Sequence, residues 1–161
     1  KDRNLAMQVV TALAKSGLPA RRLELEVTER LLLEDSDGTL ATMEEFKNLG
    51  VSLSLDDFGT GYSSLNYLRK FPFHKIKIDQ CFIRDRDNER EARAIIGAIA
   101  SLGAGLDKIV VAEGIETEEQ RKLVIAQGVQ EGQGYLFGRP MTADAIRARL
   151  ETSIKEAQLV A

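Results

Sequence analysis

Hydrophobic and polar residues alternate along three short segments of the chain, residues 23–28, 51–55 and 75–79. In the first, Leu23, Leu25 and Val27 alternate with Glu24, Glu26 and Thr28. Successive side chains of a strand point to opposite faces, so this period predicts strands with one apolar and one polar face. We therefore expect a sheet whose apolar face meets helices and whose polar face looks into a shared interior.

Segments with helical periodicity separate these strands. Gly17 and Pro19 end the first helix, Gly50 follows the second, and Thr117 to Gln120 form a capping-box sequence. The predicted helices are residues 5–15, 37–49, 63–70, 89–102, 117–127 and a last helix from 142. Further strands are predicted at 108–112 and 134–137. Strands that alternate with helices indicate a parallel sheet with helical crossovers.

Two parallel architectures compete, an open doubly wound sheet and a closed eight-stranded barrel. Strands buried on both faces of an open sheet should be apolar throughout, whereas the strands here alternate. A barrel with a polar mouth explains that alternation better. About five strands are visible, so we predict an α/β fold, an incomplete (β/α)8 TIM-like barrel, in one domain over residues 1–161.

Composition narrows the class of protein further. The 161 residues include 22 basic and 25 acidic side chains, giving a net charge of -3, which argues against a general nucleic-acid binder. The single cysteine, Cys81, excludes an internal disulfide and is compatible with a reducing compartment. No apolar run reaches the roughly 20 residues of a membrane helix. The chain begins at Lys1 without methionine, so we expect a piece of a longer protein.

Charged residues gather where the predicted strands end. Because the carboxyl ends of parallel strands meet at one edge, these side chains should lie together; they are Glu26, Asp56, Asp57, Lys77 and Glu113. Four converging carboxylates repel one another, and one or two divalent cations would relieve that repulsion. Paired metal ions are a common means of phosphoester hydrolysis, and Lys77 would then neutralise the phosphate or position the attacking water.

Simpler interpretations exist for each residue alone. Glu26 could be an exposed or ion-paired acid, and Asp56 with Asp57 could cap a helix. The coincidence of charges at the same end of four strands favours the metal site. His74 is the only histidine, which excludes a site with several histidine ligands. The Gly59–Gly61 turn lacks the Gly-Lys-Ser/Thr ending of a nucleotide-binding P-loop.

Five longer motifs lie in order along nearly the whole chain, at residues 23–29 (LELEVTE), 56–65 (DDFGTGYSSL), 76–79 (IKID), 111–117 (VAEGIET) and 133–140 (QGYLFGRP). These motifs resemble those of the EAL-domain cyclic di-GMP phosphodiesterases. The resemblance implies a modified (β/α)8 barrel that hydrolyses cyclic di-GMP to linear pGpG with Mg²⁺ or Mn²⁺ and is inhibited by Ca²⁺.

The resemblance also implies residue roles. Glu26, Asp56 and Glu113 would be metal ligands, Asp57 would serve a second metal position, and Lys77 would orient the attacking water. Glu116 and Gln133 would support the catalytic water, and Glu29 would anchor the 57–65 loop. The substrate side of the barrel would include Gly138, Arg139 and Pro140.

The Glu-Ala-Leu signature that names the family is absent from this chain, as is the asparagine-bearing strand that precedes the first helix here. Both carry metal ligands in active members and would lie upstream of Lys1. The expectation is therefore an amino-terminally truncated EAL domain, roughly the carboxyl-terminal two-thirds, inactive on its own. Family resemblance further implies a cytoplasmic location, homodimerisation, and an adjoining sensor or cyclase domain in the parent protein.

Two other functions remain open from the sequence. Some EAL-like domains bind cyclic di-GMP as receptors without cleaving it, although these usually lack several of the acids present here. A Schiff-base enzyme of aldolase type would use Lys77 as the nucleophile. Acids around that lysine would keep it protonated, which disfavours the second alternative.

Overall fold

The computed structural model describes residues 4–34, 36–60, 65–85 and 88–159. Helices and strands alternate along it after an initial helix. The elements are α1 (Leu5–Ser16), β1 (Glu24–Thr28), α2 (Glu29–Glu34), α3 (Ser36–Asn48), β2 (Ser52–Phe58), α4 (Leu65–Lys70), β3 (Lys75–Ile78), α5 (Gln80–Arg84), α6 (Glu89–Gly105), β4 (Ile109–Ala112), α7 (Glu118–Ala126), β5 (Glu131–Gly132) and α8 (Ala143–Leu159). A short 3-10 turn, Ala20–Arg22, joins α1 to β1.

Most predicted elements lie within a few residues of the observed ones. Gly17 ends α1 in the left-handed conformation, and α7 begins with the predicted capping box. The start of the predicted 63–70 helix, residues 63 and 64, lies outside the described residues. Two short helices were missed: α2 follows β1 directly, and α5 is separated from β3 only by Asp79, so no loop marks where either helix begins.

The strand predicted at 134–137 is wrong. Those residues form a tight turn in which the Phe137 N–H donates to the Gly134 carbonyl, and the strand lies earlier, at β5. Gly134 explains the error. Any side chain at Gly134 would overlap the backbone of Ile115, so the segment must turn closely around that residue.

The five strands of the described segments form one parallel sheet in the order β1-β2-β3-β4-β5. A doubly wound sheet reverses its strand order at a switch point, and this sheet contains no reversal. Successive neighbours that follow chain order are the pattern of a (β/α) barrel.

Both faces of the central strands are buried. On the outer face, Leu53, Leu55, Ile76 and Ile78 belong to the hydrophobic core that helices cover. On the inner face, Ser54 and Lys77 are also buried, with 0% and 4% of their surface exposed. The predicted polar face is therefore the interior of the fold rather than a solvated surface.

The sheet curves around this polar face. Lys75 Nζ, on the middle strand, lies 3.2 Å from Glu24 Oε2 on β1 and 2.7 Å from Glu131 Oε2 on β5. Strands two apart in a flat sheet are separated by roughly 9.5 Å. A single ammonium group that reaches both edge strands requires them to bend toward it, as in a barrel interior.

A bulge at the end of β2 sets the geometry of the two adjacent acids. Leu55 pairs with Ile76 and Phe58 with Ile78, so β2 carries one extra residue in that interval. The extra residue is accommodated at Asp57, whose φ of 55° is an uncommon conformation for a non-glycine residue. Because of the bulge, the carboxylates of Asp56 and Asp57 lie together at the end of β2, whereas adjacent residues of a regular strand point to opposite faces.

Candidate metal centre

Lys77 lies at the centre of the charged cluster. Its Nζ is 2.6 Å from Glu26 Oε1, 2.9 Å from Asp56 Oδ1 and 2.6 Å from Glu113 Oε1. These acids come from β1, β2 and the residue after β4, so the carboxyl ends of several strands converge as the sequence predicts. Three carboxylates therefore share one cation in the described structure.

Asp56, Asp57 and Glu113 form a set that could hold a metal ion. One carboxylate oxygen from each lies within 4.8 Å of the others. Asp56 Oδ1 is also buried, and its ion pair with Lys77 Nζ, at 2.9 Å, is the one polar contact seen for this oxygen among the described residues. An acceptor of this kind, among several carboxylate oxygens, suits a hard divalent cation. The donor set therefore fits Mg²⁺ or Mn²⁺.

The charged groups of the cluster shift one another's pKa values. Burial would lower the pKa of the Lys77 ammonium, but hydrogen bonds to Glu113, Glu26 and Asp56 outweigh it, so this pKa is raised. Burial raises the pKa of Glu113, an effect that its contact with Lys77 partly offsets. Lys77 is thus protonated at neutral pH, which removes it as a nucleophile or general base.

Asp79 also belongs to the cluster, and the sequence analysis did not select it. Its carboxylate caps α5 by accepting from the Cys81 N–H at 2.8 Å, and it lies close enough to the Asp57 carboxyl group to shift its pKa. Burial raises the pKa of Asp57, and the charges of Asp56 and Asp79 raise it further. The sequence pattern could have identified Asp79, because it follows Lys75 and Lys77 on the polar face of the same strand pattern.

Each of the remaining predicted residues has contacts of its own. Glu116 pairs with Arg84, Glu29 is buried at the first position of α2 with 6% of its surface exposed, and the exposed Gln133 contributes its backbone to β4 and Ile115. In the 138–140 turn, the Arg139 guanidinium lies 4.6 Å from the centroid of the Tyr135 ring. The loop that Glu29 would anchor includes residues 61–64, which lie outside the described residues.

A second charged layer lies one step nearer the amino ends of the strands. Here Lys75 contacts Glu24 and Glu131, and these hydrogen bonds, with that of Glu131 the largest contribution, raise the pKa of Lys75. Like Lys77, Lys75 is surrounded by carboxylates, but no aspartate is among its ion-pair partners in the described residues.

We expect Lys75→Met to lower the free energy of unfolding by about 1 kcal/mol, because its ion pairs are more exposed than those of Lys77. Any catalytic turnover should stay within about twofold of that of the wild type, since the ion-pair partners of Lys75, Glu24 and Glu131, are not candidate metal ligands. Urea unfolding and steady-state kinetics measure the two effects. A loss of turnover as large as that of a Lys77 variant would contradict this assignment.

The fold is a parallel α/β barrel sheet with acids clustered at its carboxyl edge, and comparison with known proteins identifies the family. The family model described as "EAL domain" matches residues 1–140. The chain belongs to the EAL-domain family. The resemblance drawn from the sequence motifs is confirmed.

Among curated relatives, the chain is 42% identical over 144 residues to the bifunctional diguanylate cyclase/cyclic di-GMP phosphodiesterase MucR of Pseudomonas aeruginosa, covering 89% of this chain and 21% of MucR. It is 44% identical over 143 residues to the cyclic di-GMP phosphodiesterase NbdA of the same species, covering 89% of this chain and 18% of NbdA. The chain therefore spans about a fifth of the length of these relatives.

Solved EAL domains share the fold. The P. aeruginosa MucR phosphodiesterase in complex with cyclic di-GMP superposes with a TM-score of 0.85 at 42% identity, covering 89% of this chain and 58% of that one. Klebsiella pneumoniae BlrP1 with manganese and cyclic di-GMP gives a TM-score of 0.79 at 31% identity, covering 86% and 36%. Its calcium complex gives 0.77 at 32% identity, covering 84% and 34%. EAL domains are TIM-like barrels, so the prediction of an incomplete barrel is confirmed.

Proposed function

We propose that this domain is a metal-dependent phosphodiesterase that hydrolyses cyclic di-GMP to linear pGpG. The observation that carries the proposal is the convergence of Asp56, Asp57 and Glu113 on one point beside the protonated Lys77. The names of the relatives support the substrate, because MucR and NbdA are both described as cyclic di-GMP phosphodiesterases.

Glu26, Asp56, Asp57 and Glu113 would hold Mg²⁺ or Mn²⁺. The cation, when bound, would supply an activated water and stabilise the leaving oxygen. Neighbouring structures with manganese or calcium and cyclic di-GMP support this choice of ion and ligand. We expect calcium to bind and to inhibit, because its larger and more flexible coordination shell positions water less strictly.

Lys77 supplies a fixed positive charge at the reaction centre. Lys77 has three donor hydrogens, and in this structure the carboxylates of Glu26, Asp56 and Glu113 face all three. A cation that held these carboxylates would leave a hydrogen of the ammonium group to donate to a phosphate oxygen or to the attacking water. Its 4% exposure keeps the charge in a poorly solvated site, where it stabilises a developing negative charge more strongly than in water. Glu116 and Gln133 would help to position the attacking water.

Arg139, with Gly138 and Pro140, would lie on the substrate side of the barrel. The guanidinium stacked on Tyr135 is exposed, so its donors are available to a phosphate or to a guanine edge. We further propose that Glu29 anchors the 57–65 loop, that the domain works in the cytoplasm as a homodimer, and that a sensor or cyclase domain adjoins it. Within the described residues, no helix has the length and apolar character needed to cross a bilayer.

The test is turnover of cyclic di-GMP, with pGpG identified by chromatography, by residues 1–161 alone and by a longer protein that joins them to the proposed adjoining domain and the missing Glu-Ala-Leu segment. We expect residues 1–161 alone to be inactive, and the longer protein to hydrolyse cyclic di-GMP with magnesium or manganese, not with a chelator, and to bind it without hydrolysis in calcium. Binding in magnesium without any turnover would instead favour a receptor domain. Failure to bind cyclic di-GMP under all of these conditions would contradict both functions.

A further inference from the structure

The turn between β4 and α7 carries two acids of the site, Glu113 and Glu116, and packs closely on α5. Gly114 makes this approach possible, because its φ is 71° and a Cβ there would come within 2.5 Å of Gln80 Cβ. The position of both acids therefore depends on how firmly the turn is held against α5.

Gln120 makes that connection with one side-chain amide. Its Oε1 accepts hydrogen bonds from the backbone N–H groups of Glu116, at 2.8 Å, and Thr117, at 3.0 Å. Its Nε2 donates to the carbonyl oxygen of Ile83 on α5, at 3.1 Å. An ion pair between Arg84 and Glu116 joins the same two segments, but it is exposed and so contributes little.

Helix α5 is itself tied to the other half of the site. Asp79 caps its first turn and contacts Asp57, which follows Asp56 on the bulge of β2. A link between α5 and the β4–α7 turn thus fixes Glu113 relative to the Asp56–Asp57 pair. Metal ligands need positional errors below about 0.5 Å, and partners outside the ligand set commonly provide that precision.

We propose that Gln120 is a positioning residue of the metal centre, whose amide locks the Glu113–Thr117 turn to α5. This inference rests on the proposed function and adds a residue to it. The bond from Nε2 to Ile83 distinguishes the proposal from ordinary helix capping, because capping uses Oε1 alone.

The Gln120→Glu substitution distinguishes helix capping by Oε1 from the connection of Nε2 to Ile83. A glutamate at this position of a capping box still accepts from the backbone N–H groups, but it cannot donate to Ile83 and places a negative charge beside its carbonyl. In the full chain we expect amide hydrogen exchange at Glu116 and Thr117 to stay slow. The Kd for Mn²⁺, measured by electron paramagnetic resonance, should rise about tenfold, with kcat falling and KM for cyclic di-GMP little changed.

Gln130→Glu is the matched control. Gln130 Oε1 accepts from the Val110 N–H at 2.9 Å, so the same substitution is made at the opposite end of β4. We expect wild-type Mn²⁺ affinity in this variant. Equal Mn²⁺ affinity of Gln120→Glu and wild type, or equal losses in both glutamate variants, would overturn the positioning role. Wild-type protein that neither binds Mn²⁺ nor turns over cyclic di-GMP would instead overturn the proposed function and this inference with it.

Discussion

Lys77→Met is expected to destabilise the metal-free protein and to abolish most of its turnover. The substitution keeps the unbranched apolar part of the side chain but removes the ammonium group, so Glu26, Asp56 and Glu113 face one another without a counter-ion. Removing one partner of a buried ion pair costs about 3–5 kcal/mol, and the partial exposure of Glu26 lowers our expectation to about 2–3 kcal/mol. Loss of a fixed charge at the reaction centre should lower kcat by about 10²–10³.

Added metal ions should reverse the loss of stability of Lys77→Met but not its loss of turnover. A divalent cation among the carboxylates supplies the missing positive charge, so manganese should restore much of the free energy of unfolding of Lys77→Met but little of its turnover. Urea unfolding with a chelator and with manganese measures the first effect, and steady-state kinetics measure the second. Lys75→Met controls for loss of a lysine from the same face and strand. Equal metal-free stabilities of the two methionine variants would show that Lys77 does not hold the cluster together.

The alternation of strands with helices was sufficient to predict the parallel sheet, and the alternation of apolar and polar residues predicted its polar interior. It worked because β1, β2 and β3 each carry their charges on the face that becomes the inside of the barrel. The same pattern did not locate β5, which has only two residues and is too short to show a period. A strand was predicted at 134–137, where close packing of Gly134 on Ile115 instead requires a turn.

The candidate site was predictable only in part. Charges at strand ends identified Glu26, Asp56, Asp57, Lys77 and Glu113, because parallel strands bring their carboxyl ends together. The sequence does not show that Lys77 contacts three carboxylates at once, since this depends on sheet curvature. It also does not show the contact of Asp79 with Asp57, which depends on the β2 bulge, or the bond from Gln120 to Ile83, which joins residues 37 positions apart.

Asp57 illustrates how such a site opposes the stability of its own fold. Its backbone is held at positive φ, and its carboxyl group faces Asp56 and Asp79. Because burial and these charges raise the pKa of Asp57 above 3.8, its contribution to stability is present below that value. That contribution is lost as the pH rises through the raised pKa, so ionised Asp57 destabilises the metal-free protein at neutral pH.

We therefore expect Asp57→Asn to stabilise the metal-free protein at pH 7 while lowering kcat/KM about a hundredfold or more. Asparagine tolerates the positive φ, and it removes a repulsion of the order of 1 kcal/mol, which should raise the Tm by about 2–4 °C. The gain should shrink as the pH falls through the raised pKa of Asp57, because the aspartate is then itself protonated, and manganese should raise the Tm of wild type but not of the variant. Thermal unfolding at several pH values, with and without manganese, measures all of these shifts. A Tm gain that is independent of pH would show that backbone strain, rather than the carboxylate charge, opposes folding at this position.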